Sequence, residues 1–222
     1  MSKVLIIGAS RGLGLEFVRQ YREAGAQVTA TARDDAGLAR LQQLGAKALR
    51  LDIADAAGST ALAWQIDGEA FDIVVINAGV GCKGQLAPDA PSAEDFDHVM
   101  HTNVLGPMRV LPQVVDALAP GARIVVVSSR EGSMGLKEHP GGWLYRASKA
   151  AVNSVMRDAA LRLAGKAIVV SVHPGWVRTD MGGPRAPLSP EASITALREL
   201  IVGLTAQHSG GFFNVDGTPL PW

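Results

Sequence analysis

The sequence has almost no cysteine, and this absence limits both its disulfide and its metal chemistry. Among 222 residues the single cysteine is Cys82, so an intrachain disulfide is impossible. The five histidines lie near no further cysteine at a familiar zinc spacing, and we predict no metal site. This cysteine usage fits a reducing compartment best, so we expect a cytoplasmic protein.

Long apolar runs and an excess of one charge are also lacking. The run from Val4 to Ala9 is far shorter than the ~18 residues of a membrane span, and no other run approaches that length. Lys+Arg and Asp+Glu number 21 each, so the charge balance does not direct the surface toward nucleic acid or anionic lipid. We therefore expect neither a membrane nor a nucleic-acid partner.

Short β-branched runs alternate along the chain with segments of helical periodicity. Strands are predicted near 3–8, 26–31, 47–51, 71–77, 122–128, 167–173 and 211–215. Helices are predicted near 13–24, 35–44, 56–66, 92–117, 143–164 and 190–206. The strand runs are apolar without alternation, as expected when helices cover both faces of a parallel sheet. The pattern predicts an α/β fold, in which residues 1–222 form a single domain with a Rossmann-type doubly wound parallel sheet of about seven strands.

The first predicted strand-to-helix turn is rich in glycine and reads Gly8-Ala9-Ser10-Arg11-Gly12-Leu13-Gly14. In a doubly wound sheet, ligands bind beyond the carboxyl ends of the strands, so this turn is a candidate site. Glycine lets the backbone approach a pyrophosphate, and the following helix offers free N–H groups and a positive dipole end. The turn predicts a nucleotide site, although capping and tight turns also select glycine.

Together with Tyr145-Arg-Ala-Ser-Lys149, the Gly-x3-Gly-x-Gly spacing of this turn resembles the short-chain dehydrogenase/reductase family over essentially the whole chain. The resemblance includes Asp52-Ile53, Asn77-Ala78-Gly79, Asn103, Ser128-Ser129 and the run from Pro174 to Thr179. The ending, with His173-Pro-Gly-Trp and Gly217-Thr-Pro-Leu-Pro-Trp222, looks most like the C-factor-like and sniffer-like carbonyl reductase branch.

The spacing of Tyr145 and Lys149 places both side chains on one helix face. A free tyrosine has a pKa near ~10, and a neighbouring ammonium together with an oxidised nicotinamide would lower it, so we expect Tyr145 to exchange a proton with substrate. Ser129 follows a strand and can donate to a substrate oxygen. A packed tyrosine with an extended lysine is the alternative for this pair. Ser128 is expected to face the interior or to cap locally.

The resemblance implies a set of functional residues. The catalytic residues would be Asn103, Ser129, Tyr145 and Lys149, with Asn103 supporting a water that relays protons from Lys149. Otherwise Asn103 is only a polar residue that bends a helix. The cofactor-binding residues would be Gly8, Ser10, Arg11, Gly12, Leu13, Gly14, Arg33, Asp52, Ile53, Asn77, Ala78, Gly79, Tyr145, Lys149, Pro174, Gly175, Val177 and Thr179.

The implied reaction is hydride transfer between a nicotinamide and a small-molecule carbonyl or alcohol. A basic residue, Arg33, follows the second strand, where NAD-binding proteins favour an acidic one, and Arg11 lies in the glycine turn. Two guanidinium groups suit a 2′-phosphate, so NADP(H) is preferred while NAD(H) is possible. Asp34 and Asp35 could instead pair with Arg33. The family also implies a homodimer or homotetramer.

Two other classes of function compete with an oxidoreductase. Gly8-Ala9-Ser10-Arg11-Gly12 also fits the nucleophile elbow of a serine hydrolase, and Asp180 with His208 would complete a triad. No earlier strand exists to supply the second oxyanion donor, so we disfavour this reading. The other alternative is a dinucleotide-binding signalling or sensor protein, against which the four catalytic residues argue.

Overall fold

The computed structural model describes residues 1–82 and 89–222. Seven parallel strands form one sheet in the order β3-β2-β1-β4-β5-β6-β7. The strands are β1 (Lys3–Ile7), β2 (Gln27–Ala32), β3 (Lys47–Arg50), β4 (Phe71–Ile76), β5 (Leu118–Val127), β6 (Ala167–His173) and β7 (Phe212–Asn214). The predicted doubly wound parallel sheet is thereby confirmed.

Helices cover both faces of the sheet, and each face has its own apolar core. The helices are α1 (Gly12–Glu23), α2 (Asp35–Gln43), α3 (Ala56–Gln65), α4 (Ala93–Met100), α5 (Gly106–Val114), α6 (Trp143–Arg162) and α7 (Pro190–Gly203). One core packs Phe17 of α1 and Leu197 of α7 against the sheet, and the other packs Val110 of α5 and Val152 of α6. No helix within the described ranges has both the length and the apolar character needed to cross a membrane.

Capping side chains define where several helices begin. Asp34 accepts a hydrogen bond from the Gly37 N–H at the start of α2, and Asp55 caps α3 in the same manner. Ser92 and Ser189 cap α4 and α7. Because such caps satisfy N–H groups that the helix leaves free, they fix the helix starts close to the predicted positions.

Two predicted elements differ from the structure. The helix expected over 92–117 is interrupted by a π-helical turn at His101–Leu105, between α4 and α5. Pro107 lacks the N–H that would bond the Asn103 carbonyl in a regular helix, which favours an irregular turn there. In addition, β5 begins at Leu118 rather than at 122, with a register shift against β4 around Phe71.

The strand order reverses between β1 and β4, which are neighbours in the sheet although two βα units separate them in sequence. The chain leaves β1 toward β2 on one side and leaves β4 toward β5 on the other. A crevice therefore opens between the segments that follow these two strands at their carboxyl ends. The site is formed in this crevice.

Candidate active site

A cavity lies at the carboxyl edge of the sheet, between the turn after β1 and the segments after β4 and β6. All the predicted cofactor residues line it except Gly14, Gly175 and Val177. The predicted catalytic residues Asn103 and Ser129 lie beside this cavity rather than in its wall. The structure thus brings together residues from eight segments that are separated in sequence.

The glycine turn depends on the absence of side chains at two of its positions. Gly8 has a φ of +83°, and a Cβ there would lie 2.6 Å from Ala78. At Gly14 a Cβ would lie 2.2 Å from the Gly8 carbonyl oxygen, so α1 starts in direct contact with the turn. Gly14 therefore shapes the site by close packing, without facing the cavity.

Neighbouring strands hold the glycine turn in place. The Gly8 N–H donates to the Thr31 hydroxyl over 2.9 Å, and the Ala9 N–H donates to the Thr31 carbonyl over 2.8 Å. On the other side, the Asn77 side-chain amide donates to the Gly8 carbonyl over 2.6 Å. Asn77 was predicted as a cofactor-binding residue, and the structure adds that it fixes the turn itself.

The cavity mouth near Ser10 is basic. Arg33 lines the cavity and is exposed, whereas Asp35 forms an ion pair with Arg50. Asp34 caps α2 instead of pairing with Arg33. The alternative in which these two carboxylates neutralise Arg33 is therefore not what the structure contains.

A further arginine at this mouth was not predicted from the sequence. The Arg40 side chain donates to the Ser10 carbonyl over 3.0 Å, which links α2 to the glycine turn. Its place in the last turn of α2 gave no signal, because the contact depends on how α2 packs against the glycine turn. A Cβ on Gly37 would lie 2.9 Å from the Ser10 Cβ, so this packing is close.

Arg11 and Asp180 join the two sides of the cavity. Their side chains form an ion pair with an N–O distance of 2.6 Å, and both line the cavity. Asp180 and its neighbour Met181 were not predicted as cofactor-site residues, although they directly follow the predicted Thr179. Sequence proximity to Thr179 is the signal that would have found them.

The arrangement of Asp180 also bears on the serine hydrolase alternative. Asp180 pairs with Arg11, whereas the His208 imidazole accepts from the Thr205 N–H over 2.9 Å. Just after His208, the Gly210 N–H donates to the Val169 carbonyl in the amino-terminal half of β6. His208 therefore lies far from the carboxyl edge of the sheet. The structure does not assemble a triad from Ser10, Asp180 and His208.

The start of α6 places Tyr145 and Lys149 one turn apart at the inner end of the cavity. The Lys149 side chain is 5% exposed and its ammonium donates to the Val127 carbonyl over 3.0 Å. Burial lowers the pKa of Lys149 to about 8, because the charged form loses hydration. The ammonium lies 5.8 Å from the centre of the Tyr145 ring.

The pKa of Tyr145 is raised in the protein without bound cofactor. Burial raises it, the nearby Ser129 hydroxyl lowers it in part, and the negative charge of Glu131 raises it further. The Lys149 ammonium is directed at Val127 and desolvation of Tyr145 outweighs the other effects. That Lys149 and an oxidised nicotinamide together lower this pKa stays a prediction. The phenol is therefore held in its protonated form, which can donate a proton.

Ser129 is oriented by the short 3₁₀ turn that follows it. Its hydroxyl oxygen accepts from the Glu131 N–H over 3.2 Å, which leaves its proton free to be donated. Ser128 lines the cavity, and its buried hydroxyl has no partner among the residues that the structure describes. Of the two serines, Ser129 is the one next to the Tyr145 hydroxyl, and its catalytic role stays a prediction.

Asn103 lies in the π-helical turn and is buried. Its side chain bonds both main-chain groups of Val80, at 2.8 and 2.9 Å, and also donates to the Ser148 hydroxyl. These contacts fix the segment after β4 against α6. The predicted proton relay through Asn103 stays a prediction.

The segment after β6 contributes Pro174 and Thr179 to the cavity. Val177 is 4% exposed and pairs with Leu188, so its side chain packs away from the cavity. At Gly175 the φ is +82°, and a Cβ would meet Leu188 at 2.4 Å. These two positions shape the segment, and their predicted cofactor-binding role stays a prediction.

The doubly wound sheet carries this glycine turn and serine, tyrosine and lysine side chains at its carboxyl edge. These features define a nucleotide-binding protein of the dehydrogenase type. The family described as short chain dehydrogenase matches residues 2–187, so the chain belongs to the short-chain dehydrogenase family. This confirms the predicted resemblance.

Relatives and solved structures agree with this placement. The chain is 40% identical over 154 residues to the C-signal of Myxococcus xanthus, which covers 68% of this chain and 92% of that protein. It superposes on the carbonyl reductase Sniffer of D. melanogaster with a TM-score of 0.90 and 29% identity, over 100% of both chains. A carbonyl reductase of Pseudomonas aeruginosa PAO1 in complex with NADP gives 0.85 and 31%, also over 100% of both.

Proposed function

We propose that this chain is an NADP(H)-dependent oxidoreductase that interconverts a small-molecule carbonyl and its alcohol. The observation that carries the proposal is the buried Lys149 at the inner end of the cavity, one helical turn from Tyr145, with Ser129 beside the phenol. Burying an ammonium is energetically unfavourable, so a buried lysine beside a tyrosine and a serine indicates a site for proton exchange.

The cavity suits a dinucleotide. Gly79 lines the cavity beside Lys149, and a Cβ at Gly79 would lie 3.4 Å from the Lys149 ammonium and 3.3 Å from the Asn103 amide oxygen. A side chain would therefore fill the space that a nicotinamide ribose needs. At the other end, Arg33 and Arg11 line the mouth, where a 2′-phosphate would be recognised.

The residues of this chain then divide the work. When bound, the nicotinamide supplies or accepts the hydride. Lys149 holds the ribose, and Ser129 donates a hydrogen bond to the substrate oxygen as charge develops on it. Tyr145, which burial keeps protonated, donates the proton that converts the carbonyl to an alcohol.

A carbonyl screen tests this function directly. We expect the protein to oxidise NADPH in the presence of aldehydes, ketones or quinones, and to use NADH less well. The carbonyl reductase names of two structural neighbours support starting from such substrates. Absence of turnover with every carbonyl class, combined with tight NADPH binding, would favour a dinucleotide-binding sensor instead.

Cytoplasmic location and assembly into a homodimer or homotetramer stay predictions from the sequence.

A further inference from the structure

The segment 218–222, which no part of the proposed reaction uses, folds back over the edge strand β7. The Leu220 N–H donates to the Phe212 carbonyl over 2.8 Å, and the Asn214 N–H donates to the Thr218 carbonyl over 2.8 Å. The Trp222 ring stacks on the buried Phe212 with ring centres 5.5 Å apart. This segment is therefore attached to the sheet along its length.

Three donors converge on the main-chain oxygen of Trp222. The N–H groups of Met134 and Gly135 donate to it over 2.9 and 3.0 Å, and the Ser133 hydroxyl donates over 3.2 Å. Ser133 is fully buried, and a Cβ on Gly135 would lie 3.3 Å from Pro221. We call this contact between residues 218–222 and 133–135 the Trp222 clasp.

The clasp lies one turn beyond Ser129. The Gly132 N–H donates to the Ser129 carbonyl over 2.8 Å, and the Ser133 N–H donates to the Arg130 carbonyl over 3.0 Å. These bonds make residues 129–133 one continuous turn. A displacement of Ser133 would therefore be transmitted to Ser129.

The opposite side of this turn is held by α6. Glu131 forms an ion pair with Arg146, and a Cβ on Gly132 would lie 2.8 Å from the Lys149 backbone. The turn that carries Ser129 is thus fixed between two supports, α6 on one side and the Trp222 clasp on the other. Removing either support would leave the turn free to shift.

We propose that the Trp222 clasp positions Ser129 for its hydrogen bond to the carbonyl substrate. Trp222 is then a positioning residue for a hydroxyl that lies about 90 residues earlier in the chain. The proposal rests on the carbonyl reduction proposed above. Residues 133–135 and 218–222 are not among the described residues that line the nucleotide cavity. The clasp therefore affects the carbonyl step and leaves NADPH binding unchanged.

Deletion of Trp222 tests the clasp, with Trp222→Phe as the conservative variant and Trp64→Ala as the matched control. Trp64 is 86% exposed on α3, so its loss removes an indole away from the site. We expect the deletion to lower kcat/KM for the carbonyl about 10- to 100-fold, as small misplacements of reacting groups do. The NADPH Kd stays within about twofold, and Trp222→Phe restores most activity because it keeps both the stacking and the main-chain oxygen.

Two further measurements keep the result decisive. Ser133→Ala removes one donor to Trp222, together with the acceptor of the Leu136 N–H, while leaving 218–222 intact, and we expect a smaller fall in kcat/KM than after the deletion. Unchanged kcat/KM in a folded deletion variant, or an equal loss of NADPH affinity, overturns the proposal. Amide exchange gives a readout that does not need activity: the Met134 and Gly135 amides are protected in the wild type and exchange faster after the deletion, whereas fast exchange in the wild type overturns the clasp.

A wild type without carbonyl turnover would instead contradict the proposed function, and the amide exchange would still decide whether the clasp exists.

Discussion

Arg11 of the glycine turn and Asp180 of the segment after β6 form an ion pair across the mouth of the cofactor cavity. The two residues are 169 positions apart in sequence. Both side chains are largely exposed, at 71% and 75%, so the pair contributes at most about 1 kcal/mol. In this pair, Asp180 binds the same Arg11 guanidinium that we assign to the cofactor phosphate.

Asp180→Asn is therefore expected to strengthen NADPH binding. It releases Arg11 and removes a negative charge from the mouth, which corresponds to about a two- to fivefold lower Kd. Fluorescence titration at low and high salt measures the effect, which should shrink as salt screens the charges. Asp67→Asn is the control, since Asp67 is exposed and precedes the amino-terminal end of β4. Equal Kd values for Asp180→Asn and the wild type would show that the pair does not compete with the cofactor.

Arg33→Ala should reduce the preference for NADPH over NADH. Asp34 and Asp35 are engaged elsewhere, so the Arg33 guanidinium is available to a phosphate. Loss of one charge-assisted contact weakens NADPH binding about 10- to 100-fold and leaves NADH binding nearly unchanged. Arg162→Ala, at the exposed end of α6, serves as the control. The idea fails if the wild type binds both cofactors equally, or if both affinities fall together.

Tyr145→Phe removes the proton donor while keeping the ring. Turnover should fall about 10²- to 10⁴-fold, because this is the range that a general acid contributes, and the NADPH Kd should change little. The matched control is Tyr21→Phe, since Tyr21 lies in the core beside Phe17 and away from the cavity. Near-normal carbonyl reduction by Tyr145→Phe would contradict the mechanism.

Lys149→Met should stabilise the ligand-free protein at neutral pH while abolishing activity. Burial lowers the folded-state pKa from 10.5 to about 8, so below pH 8 the buried charge costs about 3 kcal/mol. The variant also loses the hydrogen bond to the Val127 carbonyl, which offsets about 1–3 kcal/mol of the stability gained by removing the buried charge. The net gain at pH 7 is therefore small and positive, and thermal unfolding measures it.

The sign of the pH dependence makes this prediction specific. Between pH 8 and 10.5 an unfolded chain keeps the Lys149 proton that the folded chain releases, so wild-type stability rises with pH relative to the variant. The advantage of Lys149→Met should disappear toward pH 10. Lys166→Met, at an exposed position, should show no such crossover. A constant difference across this range would mean that Lys149 is not desolvated.

The parts of the site that were predictable from the sequence are those that short segments determine. Tyr145 and Lys149 share a helix face because of their spacing, Gly8 fits the turn because of its positive φ, and Gly14 fits because a Cβ there would meet the Gly8 carbonyl. The parallel, doubly wound sheet followed from the alternation of βα units, whereas the order of its strands was not predicted. In each case that was predicted, the pattern is set by residues close together in sequence.

What the sequence did not predict depends on packing between distant segments. The partner of Arg11 is fixed only when β6 lies beside β5, and the raised pKa of Tyr145 results from burial by many groups at once. The π-helical turn that holds Asn103 interrupts an otherwise regular helical periodicity. Pro107 marked the place, but the same residue is also common in the first turn of a helix.

The two apolar cores on opposite faces of the sheet have a consequence for the evolution of this chain. Most of the residues that line the cavity lie at or just after the end of a strand, whereas Phe17, Leu197, Val110 and Val152 lie in the layers behind them. Substitutions at the cavity can therefore accumulate with little effect on thermal stability. Lys149 is the exception, since it lies in the interior and also in the reaction that we propose, and a lineage without that reaction would gain stability by replacing it.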